Sequence, residues 1–563
     1  MLRASPGEPR EDPSARQGSL EGLVVSALDG RGVPGATLSF VQDAMALAVT
    51  TGPDGAFVFA PGRPGALSLA LVTARGFHPW EATADTVRYQ AVPGVRVGGV
   101  RIALQPRVEY TIRVLGTGRQ PLVGARVRAL SGDAPEALTD ARGEASLEAP
   151  DDALVEALAE GYAPGRGRVD LAAQTSHLVE LRLQPGERGP GQGLTTLSGR
   201  VEDPSGEALD GVEVSARCAF PPASPEAERS PTVRGRTTPD GRFTLEGLDR
   251  CTLRVRASDG EHAPAEREVA PGTSEVLLRL TAGAALRGRV VRASGAAPVT
   301  AFSVVLWPLR GALERGPSRV QGVFHPEGRF ELRGLAPGPH RVTAVAYGQA
   351  PAPELTVTLT LESPTDVTLQ VGEGGNITGR VLSDGRGPLE GARVSLESVL
   401  GGGDQPVSVG LDGRTDARGM FTLSGLGSGL RSVLVAAEGH HARILSGLEV
   451  RDGAVTGPVE VTLTRVGPEE LPRLELVGIG AVLSARGDVL VLGQVLPGGG
   501  AEEAGLVPGD LVLTVDGAPV AGLGFEGAIQ RIRGPEGSVV RLGLRRGDAG
   551  ATVREVRRRR VLR

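Results

Sequence analysis

The 563-residue chain has no lysine, so all 61 of its basic side chains are arginine. That absence excludes a Walker A phosphate loop, a Schiff-base lysine and a Ser-Lys dyad, each of which needs the ammonium group. Asparagine occurs once, at Asn376. Lysine and asparagine codons are AT-rich, so their scarcity points to a GC-rich, bacterial genome. Aromatic residues make up only 3% of the chain, which leaves Val, Leu and Ala to build most of any core. Arg and Asp+Glu nearly balance, at 61 against 66, and give no basic footprint for nucleic acid. No apolar run approaches the 18 residues that a membrane-crossing helix needs. Residues 1–17 are polar and Pro-bearing, and are expected to be disordered. Stretches of this kind usually follow an export signal or anchor, which raises the expectation of one upstream of Met1.

Turn formers are abundant, with 83 Gly and 42 Pro, so many short elements should be joined by many turns. A Gly-Ala/Val turn ahead of an alternating strand recurs at Gly35, Gly124, Gly211 and Gly391, with a degenerate copy at Thr300. A second turn, ending in Gly before an aromatic-led strand, recurs at Gly55, Gly241, Gly328 and Gly419, and the second copy has it at Gly143 with Ala145 in place of the aromatic. Two landmarks with one period near 90 residues indicate tandem units. One longer interval reflects an insertion around Pro221–Pro225 in the third copy. Phe243 and Leu245, Phe330 and Leu332, and Phe421 and Leu423 alternate, which places each pair on one face of a half-buried strand. Short strands with frequent turns predict Greek-key sandwiches. The expected architecture is mainly β: five tandem sandwiches at 18–105, 106–186, 194–281, 282–372 and 373–466, with a linker at 187–193. A different unit follows at 467–563. Short polar linkers predict few contacts between neighbouring units.

The order is kept in most copies: a Gly-Arg-Val opening strand (Gly199-Arg200-Val201, Gly288-Arg289-Val290, Gly379-Arg380-Val381), a Gly-Ala turn, an Asp-x-x-Gly-x-Phe turn, a Gly-Leu corner and Ala-x-Gly. It resembles the carboxypeptidase regulatory-like domain, a prealbumin-like β-sandwich common in bacterial envelope proteins, over roughly 18–466. The second copy departs most. The resemblance implies a fold, with spacer, docking or carbohydrate-binding roles, and no activity.

Beyond residue 467 the string Ala504-Gly505-Leu506, Pro508-Gly509-Asp510 and Asp516-Gly517 resembles a PDZ domain, a small α+β barrel, of the kind found in bacterial tail-specific proteases. Phe525, Ala528, Ile529 and Ile532 follow at the spacing of one helix face. By this resemblance Gly478, Ile479, Gly480 and Ala481 form a carboxylate-binding loop. Ile479, Ala481, Leu483 and Ile532 line the pocket for a terminal side chain, and Phe525 and Ile529 stand on the groove helix. An extended ligand would add a strand to a sheet edge there.

Catalytic readings fare poorly. His78-Pro79-Trp80-Glu81 and His177-Leu178-Val179-Glu180 match a zinc ligand pair, but both fall inside the sandwiches, with no segment left for a peptidase domain. His440-His441 is expected on a solvated loop, and the Arg557–Arg560 run at a solvated strand end. No metal or cofactor is expected. Cys218 and Cys251, both in the third copy, either form a bridge, which would suit an oxidising compartment, or remain two buried thiols. The expected function is a non-enzymatic bacterial scaffold in the periplasm, in the envelope or secreted, binding peptide C-termini or extended segments. Carbohydrate binding by the sandwiches, or presentation of substrates to a separate protease, are the alternatives.

Overall fold

The computed structural model describes residues 18–562, apart from 28–29, 44, 82–86, 131–135, 150–152, 170–176, 187–194, 220–230, 310–318, 397–411, 468–472 and 548–549. Residues 1–17, the 187–193 linker and the Pro221–Pro225 insertion lie outside the described residues.

The chain is mostly β-strand, and one topology recurs. Each opening strand (Ser19–Ser26, Val108–Leu115, Thr195–Glu202, Ala284–Arg292, Gly375–Ser383) is central in a small sheet. It pairs antiparallel with the strand after the Gly turn and parallel with the closing strand of the same copy. An antiparallel sheet packs opposite, and the two inner faces bury a core of Val, Leu and Ala. The few aromatics sit at the centre: Phe40, Tyr89, Tyr110, Phe302 and Phe324 are almost wholly buried.

The Gly-Arg-Val motif has a steric cause. Gly199, Gly288 and Gly379 stand in register with Phe243, Phe330 and Phe421. A Cβ on any of the three glycines would lie 2.6–2.7 Å from the ring. The ring therefore lies over bare backbone, and only glycine admits it.

A buried threonine braces each regular copy. Thr51, Thr139, Thr237 and Thr415 donate to a carbonyl of the preceding turn (Val33, Leu122, Leu209, Leu389) at 2.6–2.7 Å. Each accepts from the N–H of the residue after the turn glycine at 2.8–2.9 Å. In the fourth copy this position is Phe324. Its ring enters the core of the first copy, beside Tyr89.

The expectation of few contacts between units is therefore corrected. Strand Val87–Ala91 of the first copy pairs in parallel with Arg319–Phe324 of the fourth, Arg88 opposite Val323 and Tyr89 opposite Phe324, so two antiparallel sheets merge. The Arg101 guanidinium lies 4.5 Å from the centre of the Tyr347 ring, and Thr300 donates to the Gly98 carbonyl at 3.1 Å. Glu156, buried in the second copy, takes Arg128 and Arg166 at 2.8 Å each, and Arg166 reaches on to Asp249 of the third at 2.5 Å. An open strand edge favours pairing of this kind.

His440 and His441 are buried rather than solvated. His440 Nδ1 lies 2.8 Å from the Glu438 carbonyl, so it carries the proton, and Nε2 accepts from the Ser383 hydroxyl at 2.8 Å. His441 Nδ1 accepts from the Arg473 N–H at 3.1 Å and ties the fifth copy to the C-terminal unit.

Cys218 and Cys251 are bridged, their Cα atoms 5.7 Å apart, from the end of strand Glu213–Cys218 to the turn that leads into its neighbour Leu253–Ser258. With the two half-cystines 33 positions apart in the chain, the bridge should stabilise this unit by about 2–4 kcal/mol. Urea unfolding with and without reductant should show that loss, and non-reducing peptide mapping should recover the cross-link.

Candidate functional site: the C-terminal groove

The C-terminal unit begins with strand Leu474–Gly478, which pairs antiparallel with the last strand, Arg559–Leu562. Its start also pairs in parallel with strand Ala442–Val450, so it extends a sheet of the fifth copy. The chain then turns through Gly478–Ala481. Gly480 has φ 75°, and a Cβ there would meet Gly499 Cα at 2.6 Å, so the loop packs backbone to backbone against the Leu496–Ala501 turn. The Ile479 carbonyl accepts from Ala501 at 2.7 Å and the Gly480 carbonyl from Leu496 at 2.8 Å. Among the described residues no protein acceptor takes the Ile479 or Gly480 N–H.

Strand Ala481–Arg486 follows. It pairs with Val489–Val495 and is the edge of its sheet, so its other side is open among the described residues. Helix α1 (Gly500–Glu503) and helix α2 (Val520–Ile532) complete the unit. Gly524, at φ 71° and ψ 170°, interrupts α2, so Phe525 opens the second helical stretch. Ala481 and Leu483 from the strand, and Phe525 and Ile529 from the helix, are half-buried against one core. Open edge and helix thus border a single apolar surface. Ile479 and Ile532 lie deeper, 2% and 3% exposed, and Ala528 is wholly buried in that core.

Other motif residues hold the frame. Asp510 takes a two-pronged contact from Arg546, at 2.6 and 2.7 Å, and accepts the Val507 N–H at 3.0 Å. The Arg546 contact leads in holding this carboxyl below the usual range. Asp516 accepts from the Arg541 N–H at 2.9 Å beside the Gly517 turn.

Two supports of α2 were not legible beforehand. Arg558 is buried, not at a solvated strand end: its guanidinium donates to the Arg531, Ile532 and Val539 carbonyls at 2.7–2.9 Å and closes the C-terminal end of the helix. Its neighbours Arg557, Arg559 and Arg560 are exposed, and nothing in a run of four arginines distinguishes the second. The other support is Gln530, whose side chain meets Ser432 of the fifth copy at 2.7 Å, both residues buried. Among the described residues no group of three or more His, Cys, Asp or Glu is placed to hold a metal ion.

The sequence model of the PDZ domain matches residues 491–546, and that of the carboxypeptidase regulatory-like domain matches 196–281. A probable CtpA-like serine protease of Staphylococcus haemolyticus is 34% identical over 74 residues, 13% of this chain and 15% of the relative. The chain thus spans about one seventh of the length of the curated relatives it matches. The PDZ domain of the Vibrio cholerae carboxy-terminal protease, solved in complex with peptide, is 32% identical over 16% of this chain and 97% of that one, with TM-score 0.15. A streptococcal ancillary pilin is 12% identical over 49% of this chain and all of that one, with TM-score 0.19. The chain carries a carboxypeptidase regulatory-like domain within its tandem sandwiches and a C-terminal PDZ domain resembling that of a carboxy-terminal protease.

Proposed function

We propose that the chain is a non-enzymatic scaffold of the bacterial envelope or exterior whose C-terminal groove captures a peptide C-terminus or an extended segment. The open edge of Ala481–Arg486, bordered by Leu483, Phe525 and Ile529, carries this reading. A ligand strand on that edge gains main-chain hydrogen bonds, and its alternate side chains meet the apolar surface. The Ile479 and Gly480 N–H groups are suited to a terminal carboxylate. Gly478, Ala481 and Ile532 complete the proposed site. The regulatory-like and PDZ domains are not catalytic folds, and the protease likeness is confined to the PDZ part. A bridged Cys218–Cys251 pair supports an extracytoplasmic location. Among the described residues no helix is long and apolar enough to cross a membrane. The unit boundaries given by the repeats belong to the same proposal.

Ile532 is too buried to test the groove cleanly. Leu483→Glu and Ile529→Glu change half-buried positions and set a carboxylate against the ligand's own. Each should weaken binding to a library of peptides ending in Leu or Phe at least about tenfold, or roughly 1.4 kcal/mol. Circular dichroism should show both variants folded. Folded variants that bind as tightly as the parent would remove the groove from this surface.

A further inference from the structure

A cavity of about 740 Å³ opens where the first and fourth copies join. One wall is the merged sheet, which contributes Arg88, Gln90, Gln321 and Val323; the other is the small sheet of the fourth copy, with Arg289 and Phe330. Volumes of this order suit a small organic ligand.

The polar groups here are unmatched in a consistent way. Gln321 is 4% exposed, yet its amide makes no hydrogen bond to any described residue. The amide lines the cavity and is open to it, within reach of a ligand that fills the space. Gln90, on the neighbouring strand, is likewise unpaired. Arg289 is the arginine of the Gly-Arg-Val motif. Its counterpart Arg200 is held by Glu202 at 3.2 Å, and Arg380 donates to the Arg418 carbonyl at 3.1 Å. Arg289 has neither kind of contact; it stands cross-strand from Arg329, whose own charge is met by Glu327 at 2.8 Å, which leaves Arg289 as the unengaged cation of the pair. Arg88 is a second cation without a partner. Two acids share the rim. Glu331 is already engaged by Arg287 and Arg333, at 3.3 and 2.9 Å, and Asp366 stands in register with Arg287.

We propose that this inter-copy cavity binds a small polyhydroxylated organic acid, its oxyanion held by Arg289 and Arg88 and its hydroxyls by the Gln321 and Gln90 amides. Arginine favours planar or tetrahedral oxyanions, and an amide both donates to and accepts from a hydroxyl. Val323 and Phe330 offer apolar contact to the carbon frame.

Calorimetry on the full chain tests this with digalacturonate and glucose 6-phosphate, which separate a carboxylate source from a phosphate source. At least one should bind, and maltose and inorganic sulfate should each bind at least about tenfold more weakly. Gln321→Leu and Arg289→Glu should each lower affinity for the bound acid at least about tenfold, with the unfolding midpoint checked for both. Should Gln321→Leu fail to fold, the exposed Arg289→Glu decides alone. The proposal is overturned by absence of binding for both acids up to about 10 mM, by affinities unchanged in the variants, or by sulfate binding as tightly as the organic acids.

Discussion

The Arg166→Met variant should lose about 3–5 kcal/mol from the second copy, because it strips one partner from a buried carboxylate. Glu156 is 2% exposed and bonded to Arg128 and Arg166. Burial disfavours the Arg166 charge, but Asp249 and Glu156 more than offset it and raise its pKa. Methionine keeps much of the stem and removes the fork. Arg128 alone then faces Glu156, and Asp249 of the third copy loses its contact across the junction. Hydrogen exchange of strand Leu154–Leu158 in the full chain reads the loss directly. The Glu156→Gln, Arg166→Met double variant should recover a large part of it, since the uncompensated charge is gone. Unchanged protection of that strand in Arg166→Met would show that the cluster does not hold the unit.

Arg558→Ala should destabilise the PDZ domain by about 3 kcal/mol or more, because hydrogen bonds from a charged donor contribute roughly 1.5–3 kcal/mol each and three carbonyls lose theirs. Ile532 and Arg531 end the groove helix, so their carbonyls have no intrahelical partner. The Ser538 hydroxyl, 2.9 Å from Nη1, is released as well. Peptide affinity should fall with stability, as the far end of the groove frays. A lysine cannot reproduce a planar fork, so Arg558→Lys should restore less than half of the loss. The exposed neighbours give the control: Arg557→Ala and Arg560→Ala should stay within about 0.5 kcal/mol of the parent. Equal effects at all three positions would point to net charge rather than to the helix end.

The repeat, the sandwich topology and the PDZ frame were legible because each rests on local chemistry. A glycine under a ring and a glycine at positive φ leave marks at fixed spacing, as at Gly288 with Phe330 and at Gly328. Contacts between copies leave no such mark. Phe324 differs from its counterparts Thr51, Thr139, Thr237 and Thr415 by one substitution, and only the three-dimensional partner explains it. Arg166, Arg558 and Arg289 are three among 61 arginines, told apart solely by what surrounds them. The burial of His440 and His441 has the same origin, since Ser383 and Arg473, which meet them, are far from them in sequence. In the C-terminal unit, sequence spacing indicated the helix face but not depth: Ile479 and Ile532 are covered, whereas Leu483 and Ile529 are only half-buried.

The pairing of Val87–Ala91 with Arg319–Phe324 joins two parts of one polypeptide, so its equilibrium is set by tethering rather than by bulk concentration. A tether supplies an effective concentration set by its length and stiffness, and the second and third copies here serve as the tether. A contact whose intrinsic dissociation constant equals that effective concentration is half closed, whatever the dilution. Closure then survives dilution, where an intermolecular contact of the same strength would vanish. It also makes the junction separable by a single cut: cleavage within the second or third copy would convert a unimolecular latch into a bimolecular one, and the first copy would leave.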